Sequence, residues 1–251
     1  MKDRKISVII PCYNGGKFIR QNIEKIDDYL AKNFLDYEII VINDGSLDDT
    51  REKVFKAKEK IPKLILINNE INFGKGYAVK KGILKSQYEI VMFLDADLAI
   101  PIESLENFAR SLNDGFDIVI ASRFVSGLKI IKPVLWHRRL MEKVFRFFRM
   151  VIIGNYSIQD TQCGFKVFSR KVAMKIFPLV TINRFAFDAE VIFIAVKRDY
   201  KIRELPITLQ NPIKSSIRIY RDSINMLFDL IHIRINDFFG KYSSKNLIDR
   251  K

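Results

Sequence analysis

Apolar residues fall into two alternating kinds of run along the first half of the chain. Residues 6–11 (ISVIIP), 37–44 (YEIIVIND), 63–68 (KLILIN), 88–97 (YEIVMFLDAD) and 117–123 (DIVIASR) are short, nearly continuous apolar stretches. Such runs read as strands buried on both faces. Between them, residues 15–33, 46–60, 74–86 and 101–113 carry apolar positions at helical spacing, the last with Pro101 in its first turn. Strands alternating with helices predict a parallel sheet covered on both sides, a doubly wound α/β domain. In such sheets ligands bind beyond the carboxyl ends of the strands. Asn43-Asp44, Asp95-Ala96-Asp97 and Ser122-Arg123 all fall there.

The second half is patterned differently. Over 133–155, Arg138, Arg139, Glu142, Arg146 and Arg149 form one helical stripe, and Leu140, Met141, Val144, Phe145, Phe148, Val151 and Ile152 the other. Over 217–240, Ile217, Tyr220, Ile224, Leu227, Phe228, Ile231, Ile235 and Phe238 recur three or four apart. Each segment fits either a core helix or a helix lying in the plane of a membrane. The chain divides on this reading into residues 1–212 and a C-terminal amphipathic helix with a basic tail, 213–251.

Composition sharpens the choice of partners. The 251 residues carry a formal net charge of +14, which calls for nucleic acid, an anionic membrane surface or a phosphorylated substrate. No aromatic–basic recognition motif or zinc spacing accompanies the charge, so no nucleic acid is expected. Cys12 and Cys163 lack metal-like spacing and point to a reducing compartment. The apolar run at the N-terminus is too short for a signal peptide, and no stretch approaches the ~18 apolar residues of a spanning helix.

The chemistry concentrates where the strands end. Asp95 and Asp97 lie one residue apart after a buried strand, where unpaired charge is costly. Two such carboxylates suit Mg²⁺ or Mn²⁺, which take one or two carboxylates plus substrate phosphates. Asp44-Gly45-Ser46 ends one strand and opens a helix; it fits contact with a base or ribose, or a helix N-cap at Ser46 or Asp48. Asn72-Phe73-Gly74-Lys75-Gly76 would present amides and a Lys to an anion, or form a simple glycine turn. Tyr13, after Pro11 and Cys12, is placed to stack on a base, or is an ordinary surface Tyr.

Together, SVIIPCYN, VINDGSLDDT, NFGKGYAVKKGI, FLDADLAIP and ASRF resemble the nucleotide-diphospho-sugar transferases of the GT-A fold, family two. DTQCGFKVFSR (160–170) and RFAFDAEVIFIA (184–195) resemble the dolichyl-phosphate β-glucosyltransferases and prokaryotic polyprenyl-phosphate relatives, with the dolichyl-phosphate mannose synthases as cousins. The likeness runs over residues 5–240. It implies transfer of a hexose, glucose first, from a nucleotide sugar, UDP-glucose first, to a polyprenyl or dolichyl phosphate, with inversion. Mannosyl transfer from GDP-mannose, or a saccharide acceptor, is the alternative.

The resemblance also implies roles. Pro11, Tyr13, Asn14, Asp44 and Gly45 match positions at the nucleoside, and Gly74, Lys75, Ala96 and Glu190 complete the donor site. Asp95 and Asp97 match the metal-binding pair, Asp97 foremost. Arg123 matches a site at the phosphates, and Asp188 a position at the donor sugar; with Asp97 these are the candidate catalytic residues. Arg138, Arg139, Asp160, Gln162 and Lys166, with Arg123, match the acceptor-phosphate side. The chain departs from the pattern at Gly15-Gly16, where relatives carry Glu after Asn, at Asn43, where they carry Asp, and at Ala99, where the mannose synthases carry a polar ligand. The resemblance places the enzyme in the cytoplasm, peripheral on the cytoplasmic face of a membrane. The two amphipathic helices meet lipid or a partner membrane subunit; the sequence leaves both open.

Overall fold

The computed structural model describes residues 1–126, 129–130, 136–154, 158–209 and 219–243, with the side chains of 129–130, 136–142, 209 and 219–223 outside that description. In chain order the elements are β1 (Lys5–Cys12), α1 (Ile19–Asn33), β2 (Asp36–Asp44), α2 (Thr50–Lys58), β3 (Leu64–Asn69), α3 (Lys75–Lys85), β4 (Ile90–Leu94), α4 (Leu105–Asn113), β5 (Ile118–Ser122), β6 (Lys129–Ile130), α5 (Trp136–Ile153), β7 (Phe165–Ser169), α6 (Arg170–Ile176), α7 (Phe187–Lys197), β8 (Ile202–Pro206), β9 (Thr208–Leu209) and α8 (Ile219–Phe238). All five strands and all six helical segments read from the pattern are present, most of them shorter by a few residues.

Seven strands form one sheet in the order β3-β2-β1-β4-β7-β5-β8. Every neighbouring pair is parallel except those made by β7, which runs antiparallel to both β4 and β5. The strands obey the period of two. Ile9, Ile40, Ile42, Val91, Phe93, Ile118 and Ile120 face a core layer under α3, α6 and α7. Val8, Ile10, Ile39, Val41, Met92 and Val119 face the opposite layer, under α1, α2 and α4. Leu230 and Ile233 of α8 are fully buried in the first of these layers, so the C-terminal helix shares the sheet's core.

β7 is one of the elements the apolar pattern does not reveal, with β6, β8, β9, α6 and α7. Its register sets Lys166 between Phe93 and Ile120, with Phe165 opposite Leu94 and Val167 opposite Met92 and Val119. A lysine at the second position of a five-residue strand breaks the apolar run, although that lysine is wholly buried. The insertion also brings the 160–164 loop against the end of β4, which matters for the site.

Candidate active site

Three loops meet beyond the ends of β1, β2 and β4. After β2 the chain turns at Gly45, whose φ of +68° and 2.4 Å approach of a would-be Cβ to the Ile71 backbone admit only glycine. Asp44 is 3% exposed. Its Oδ1 accepts from Asn69 Nδ2 (2.7 Å) and the Phe73 amide (3.1 Å), and its Oδ2 from the Gly74 amide (2.8 Å). The residue expected at the nucleoside thus pins the glycine turn ahead of α3, and a side chain so enclosed meets a ligand only beyond those bonds. Gly74, at φ +107°, leaves no room for a Cβ beside the Asn183 carbonyl, which lies 2.4 Å from that position.

Asn14, also at positive φ, clasps the loops after β1 and β2 together. Its amide donates to Ser46 Oγ (2.9 Å), and its Oδ1 accepts from the Leu47 amide (2.8 Å). The departure at Gly15-Gly16 has a local cause. The Gly15 amide donates to Thr50 Oγ1 (2.8 Å) and the Gly16 amide to Asp48 Oδ2 (2.9 Å), and a Cβ on Gly16 would collide with Asp49. Tyr13 stands beside this clasp with an exposed ring, while Pro11 is buried in β1.

The carboxylate pair follows β4. The Asp95 amide donates to the Gly164 carbonyl (3.0 Å), the Leu98 amide closes a turn onto the Asp95 carbonyl (3.1 Å), and Asn22 Nδ2 donates to the Ala96 carbonyl (2.8 Å). The Ala99 amide donates to Asp97 Oδ1 (3.1 Å), so position 99 serves the site through its backbone. Asp95 Oδ1 lies 2.6 Å from Lys75 Nζ, the first residue of α3. Burial and then the charge of Asp95 push the Asp97 carboxyl above its ordinary range. For Lys75, burial opposes the charge, but Asp95 and Asp188 prevail and raise it.

Behind the pair, Lys166 and Asp188 form a buried ion pair, with Lys166 Nζ also donating to the Cys163 carbonyl (2.7 Å). Burial raises the Asp188 carboxyl, with Lys166 and Lys75 opposing. Two expectations are corrected here. Lys166, expected at the acceptor phosphate, has no exposed surface and is bound to Asp188 inside the sheet. Glu190, expected at the donor, is equally buried and accepts from the Thr181 and Ile182 amides, Thr181 Oγ1 and Tyr242 Oη, which makes it a brace between the 181–182 loop and the C-terminal segment. Asp188 is enclosed as well, at 2% exposure.

The third feature lies beside β5. Arg123 grips Asp160 in a forked pair, Nε to Oδ2 at 2.7 Å and Nη2 to Oδ1 at 3.0 Å, and its amide adds a third bond at 3.0 Å. Glu204 holds the loop from below through the amides of Gln159 (2.8 Å) and Asp160 (2.9 Å). Burial disfavours the Asp160 anion, but the Arg123 charge and its hydrogen bonds outweigh it and hold the carboxyl below the usual range. Two buried polar atoms on this loop, Thr161 Oγ1 and Gln162 Nε2, have no hydrogen-bond partner. A buried polar atom without a partner costs about 1–3 kcal/mol.

α5 flanks the same corner. Arg149 is 2% exposed and donates through Nη2 to the Ile158 carbonyl (2.9 Å), while Arg146 lies over the Phe124 ring at 4.9 Å. Arg146 and Arg149 therefore face the site. The apolar positions divide: Phe145 and Ile152 pack against the core, while Val144, Phe147, Phe148 and Val151 are exposed, Phe147 by 57%. On α8, which packs against α5, Ile224, Phe228, Ile231, Ile235 and Phe238 are exposed as well, Phe238 by 85%. An open apolar groove of about 420 Å³ runs between the helices, lined by Ile152, Ile231, Ile235 and Phe238. Arg138 and Arg139 belong to α5, but their side chains lie outside the described residues.

A divalent ion suits the carboxylate pair on the structure's own terms. Asp95 is partly exposed, two like charges crowd together, and Gly164 forms a cradle in which a Cβ would sit 2.0 Å from Asp95 Oδ2. Among the described residues no group of three or more His, Cys, Asp or Glu side chains gathers as a metal site, so water or phosphate would complete the shell. Sequence reasoning missed Gly164, Thr161 and Asn22. The first two lie inside a motif already singled out; Asn22, on a helix stripe, carries no sequence signal.

Known proteins share this sequence pattern and fold. The chain is 33% identical to a dolichyl-phosphate beta-glucosyltransferase of Trichomonas vaginalis, over 98% of this chain and 77% of that one. It is 32% identical to the dolichyl-phosphate beta-glucosyltransferase of Saccharomyces cerevisiae, over 94% and 76%. Its fold is that of the glucosyl-3-phosphoglycerate synthase of Mycobacterium tuberculosis, crystallised with Mn²⁺, uridine diphosphate and phosphoglyceric acid, with a TM-score of 0.67, 17% identity, and 96% and 79% of the two chains covered. Residues 7–177 match the model of glycosyl transferase family 2, and the chain belongs to that family as a glycosyltransferase of the GT-A fold.

Proposed function

We propose that the protein transfers glucose from a uridine-diphosphate sugar to a dolichyl or other polyprenyl phosphate. The names of the relatives support the reaction, and the uridine diphosphate and Mn²⁺ bound by the mycobacterial enzyme support the donor class. The observation that carries the acceptor is the orientation of α5: Arg146 and Arg149 toward the site, Phe147 and Phe148 toward the outside. A lipid phosphate needs both, an anion-binding corner and a greasy approach to it.

In this reading the donor lies across the ends of β1, β2 and β4. Tyr13 stacks on the base, the loops clasped by Asn14, Asp44 and Gly45 frame the nucleoside, and Gly74, Lys75 and the Ala96 backbone line the diphosphate side. A divalent ion on Asp95 and Asp97 supplies Lewis-acid neutralisation of the departing diphosphate. The acceptor phosphate is already largely ionised near neutral pH and needs no strong base. It needs cations, because it must approach a second anion. Arg123, with Arg138 and Arg139 at the start of α5, provides them, and Arg matches phosphate in forked pairs. Asp160 orients Arg123, and Gln162 and Thr161 offer their unpaired polar atoms to sugar or phosphate oxygens. Asp188, held by Lys166, fixes the floor of the site. Attack from the side opposite the nucleotide inverts an α-linked donor, which agrees with the beta product in the relatives' names.

Among the described residues no helix is long and apolar enough to cross a membrane. We propose peripheral attachment through α5 and α8 to the cytoplasmic face, whose anionic lipids attract a chain of net charge +14. The deciding assay incubates the purified protein with Mn²⁺ or Mg²⁺, labelled UDP-glucose or GDP-mannose, and a polyprenyl phosphate. A chelator-sensitive glucosyl lipid is expected; a mannosyl lipid, or transfer only to a saccharide, would replace this reading. Failure to sediment with anionic vesicles at low salt would favour a partner membrane subunit over lipid.

A further inference from the structure

Lys75 occupies an unusual position. A helix N-terminus carries partial positive charge and disfavours a cation, yet the first residue of α3 is a lysine and its side chain is only 18% exposed. What holds it there is Asp95, whose Oδ1 is 2.6 Å from the ammonium. The other oxygen, Oδ2, is packed against Gly164. One oxygen of Asp97 is engaged by the Ala99 amide. The outward edge of the metal-binding pair is thus already taken by a cation that belongs to the chain.

Around this point stand the carboxylates of Asp95, Asp97, Asp160 and Asp188 and the cations of Lys75, Lys166 and Arg123. Lys166 pairs with Asp188 and Arg123 with Asp160. Lys75 is the cation on the carboxylate pair itself, and it is carried on a flexible four-carbon stem beside a glycine turn. A divalent ion and an ammonium compete for the same oxygen, since each repels the other at contact distance. The donor's diphosphate offers Lys75 a new partner at the same helix end.

Resting on the donor site proposed above, we infer that Lys75 is a resident counter-ion of Asp95 that gives way to the divalent ion and moves onto the donor diphosphate as the two arrive together. The resident ammonium offsets the Asp95 charge in the empty enzyme. It makes metal alone a weak ligand and couples metal to nucleotide, each raising the affinity for the other by the same factor. Lys75 is on this account a positioning residue: it sets which ligands bind together and touches no bond that is made or broken.

The test measures Mn²⁺ binding to the full chain, by the electron paramagnetic resonance signal of free Mn²⁺, with and without UDP, in the wild type, Lys75→Met and Lys75→Arg. In the wild type UDP is expected to tighten Mn²⁺ about tenfold or more, within the usual range of coupling. Lys75→Met is expected to bind Mn²⁺ alone about tenfold tighter, with the effect of UDP shrinking to about threefold or less, because the competitor is gone and the diphosphate has lost a partner. Lys75→Arg should keep the wild-type pattern. Unchanged or weaker Mn²⁺ binding in a folded Lys75→Met protein would overturn the inference, as would a parallel loss of both affinities, the sign of a merely structural lysine. A wild type that binds neither Mn²⁺ nor UDP would instead overturn the donor site itself.

Discussion

α1 and α5 carry similar sequence patterns and stand opposite ways round. In α1 the apolar stripe of Ile19, Ile23, Ile26 and Leu30 is buried against the sheet, and Arg20 and Glu24 pair at the surface at 3.1 Å. In α5 Arg149 turns inward and Val144, Phe147, Phe148 and Val151 turn out, with Phe145 and Ile152 left to hold the helix to the core. Amphipathic spacing reveals that a helix has two faces. Which one is inside depends on what the neighbouring elements offer. Under α1 lie Val8, Ile10 and Met92; under α5 lie the carbonyls of Ile158 and Gln159 and the Arg123–Asp160 pair.

The sharpest way to break this contrast is to truncate one residue of each outwardly similar stripe. Leu30→Ala in α1 is expected to cost about 2–5 kcal/mol in denaturant unfolding, and Phe147→Ala in α5 no more than about 0.5 kcal/mol. Equal costs would mean that α5 buries its apolar face after all. Next in size, Phe147→Asp with Phe238→Asp should leave unfolding nearly unchanged and reduce sedimentation with anionic vesicles by about tenfold or more, as apolar burial in the interface is lost. Retained sedimentation would move the membrane contact off these helices.

Arginine tests the other faces. Arg149→Met strands the Ile158 carbonyl and should cost about 1–3 kcal/mol, whereas Arg20→Met should cost at most about 0.5 kcal/mol. The smallest effect is a matter of pH. Because the Asp160 carboxyl is held below its ordinary value of 3.8, its contribution is present above that value and fades as pH falls through the lower folded value. Amide hydrogen exchange in the α5 corner should therefore quicken, beyond its intrinsic pH dependence, below about pH 4, while α1, with an apolar contact, does not follow. Asp160→Asn should abolish the difference.

How much of this was legible follows from the same physics. β1, β2, β4 and β5 announce themselves because buried parallel strands are runs of Ile and Val, and their ends locate the site. The Asp95–Asp97 pair was legible as a spacing at the end of β4. β7 was not, because Lys166 interrupts it and finds its partner, Asp188, twenty-two residues later. Glu190 misled for the same reason: an acidic residue beside a motif looks like a ligand until its bonds to Thr181, Ile182 and Tyr242 are seen. Arg149 read as one member of a helical stripe, and only the partner carbonyls reveal its direction.

The loop from Asp160 to Gly164 has a bearing on how such an enzyme changes its tastes. Five residues connect the grip on Arg123 to the cradle under Asp95. An insertion or deletion there, made to admit a different acceptor, would also tilt the carboxylate that anchors the donor. Natural drift and laboratory redesign alike should find it easier to retune acceptor choice along α5, and lineages that lengthen this stretch should be rare among those that remain active.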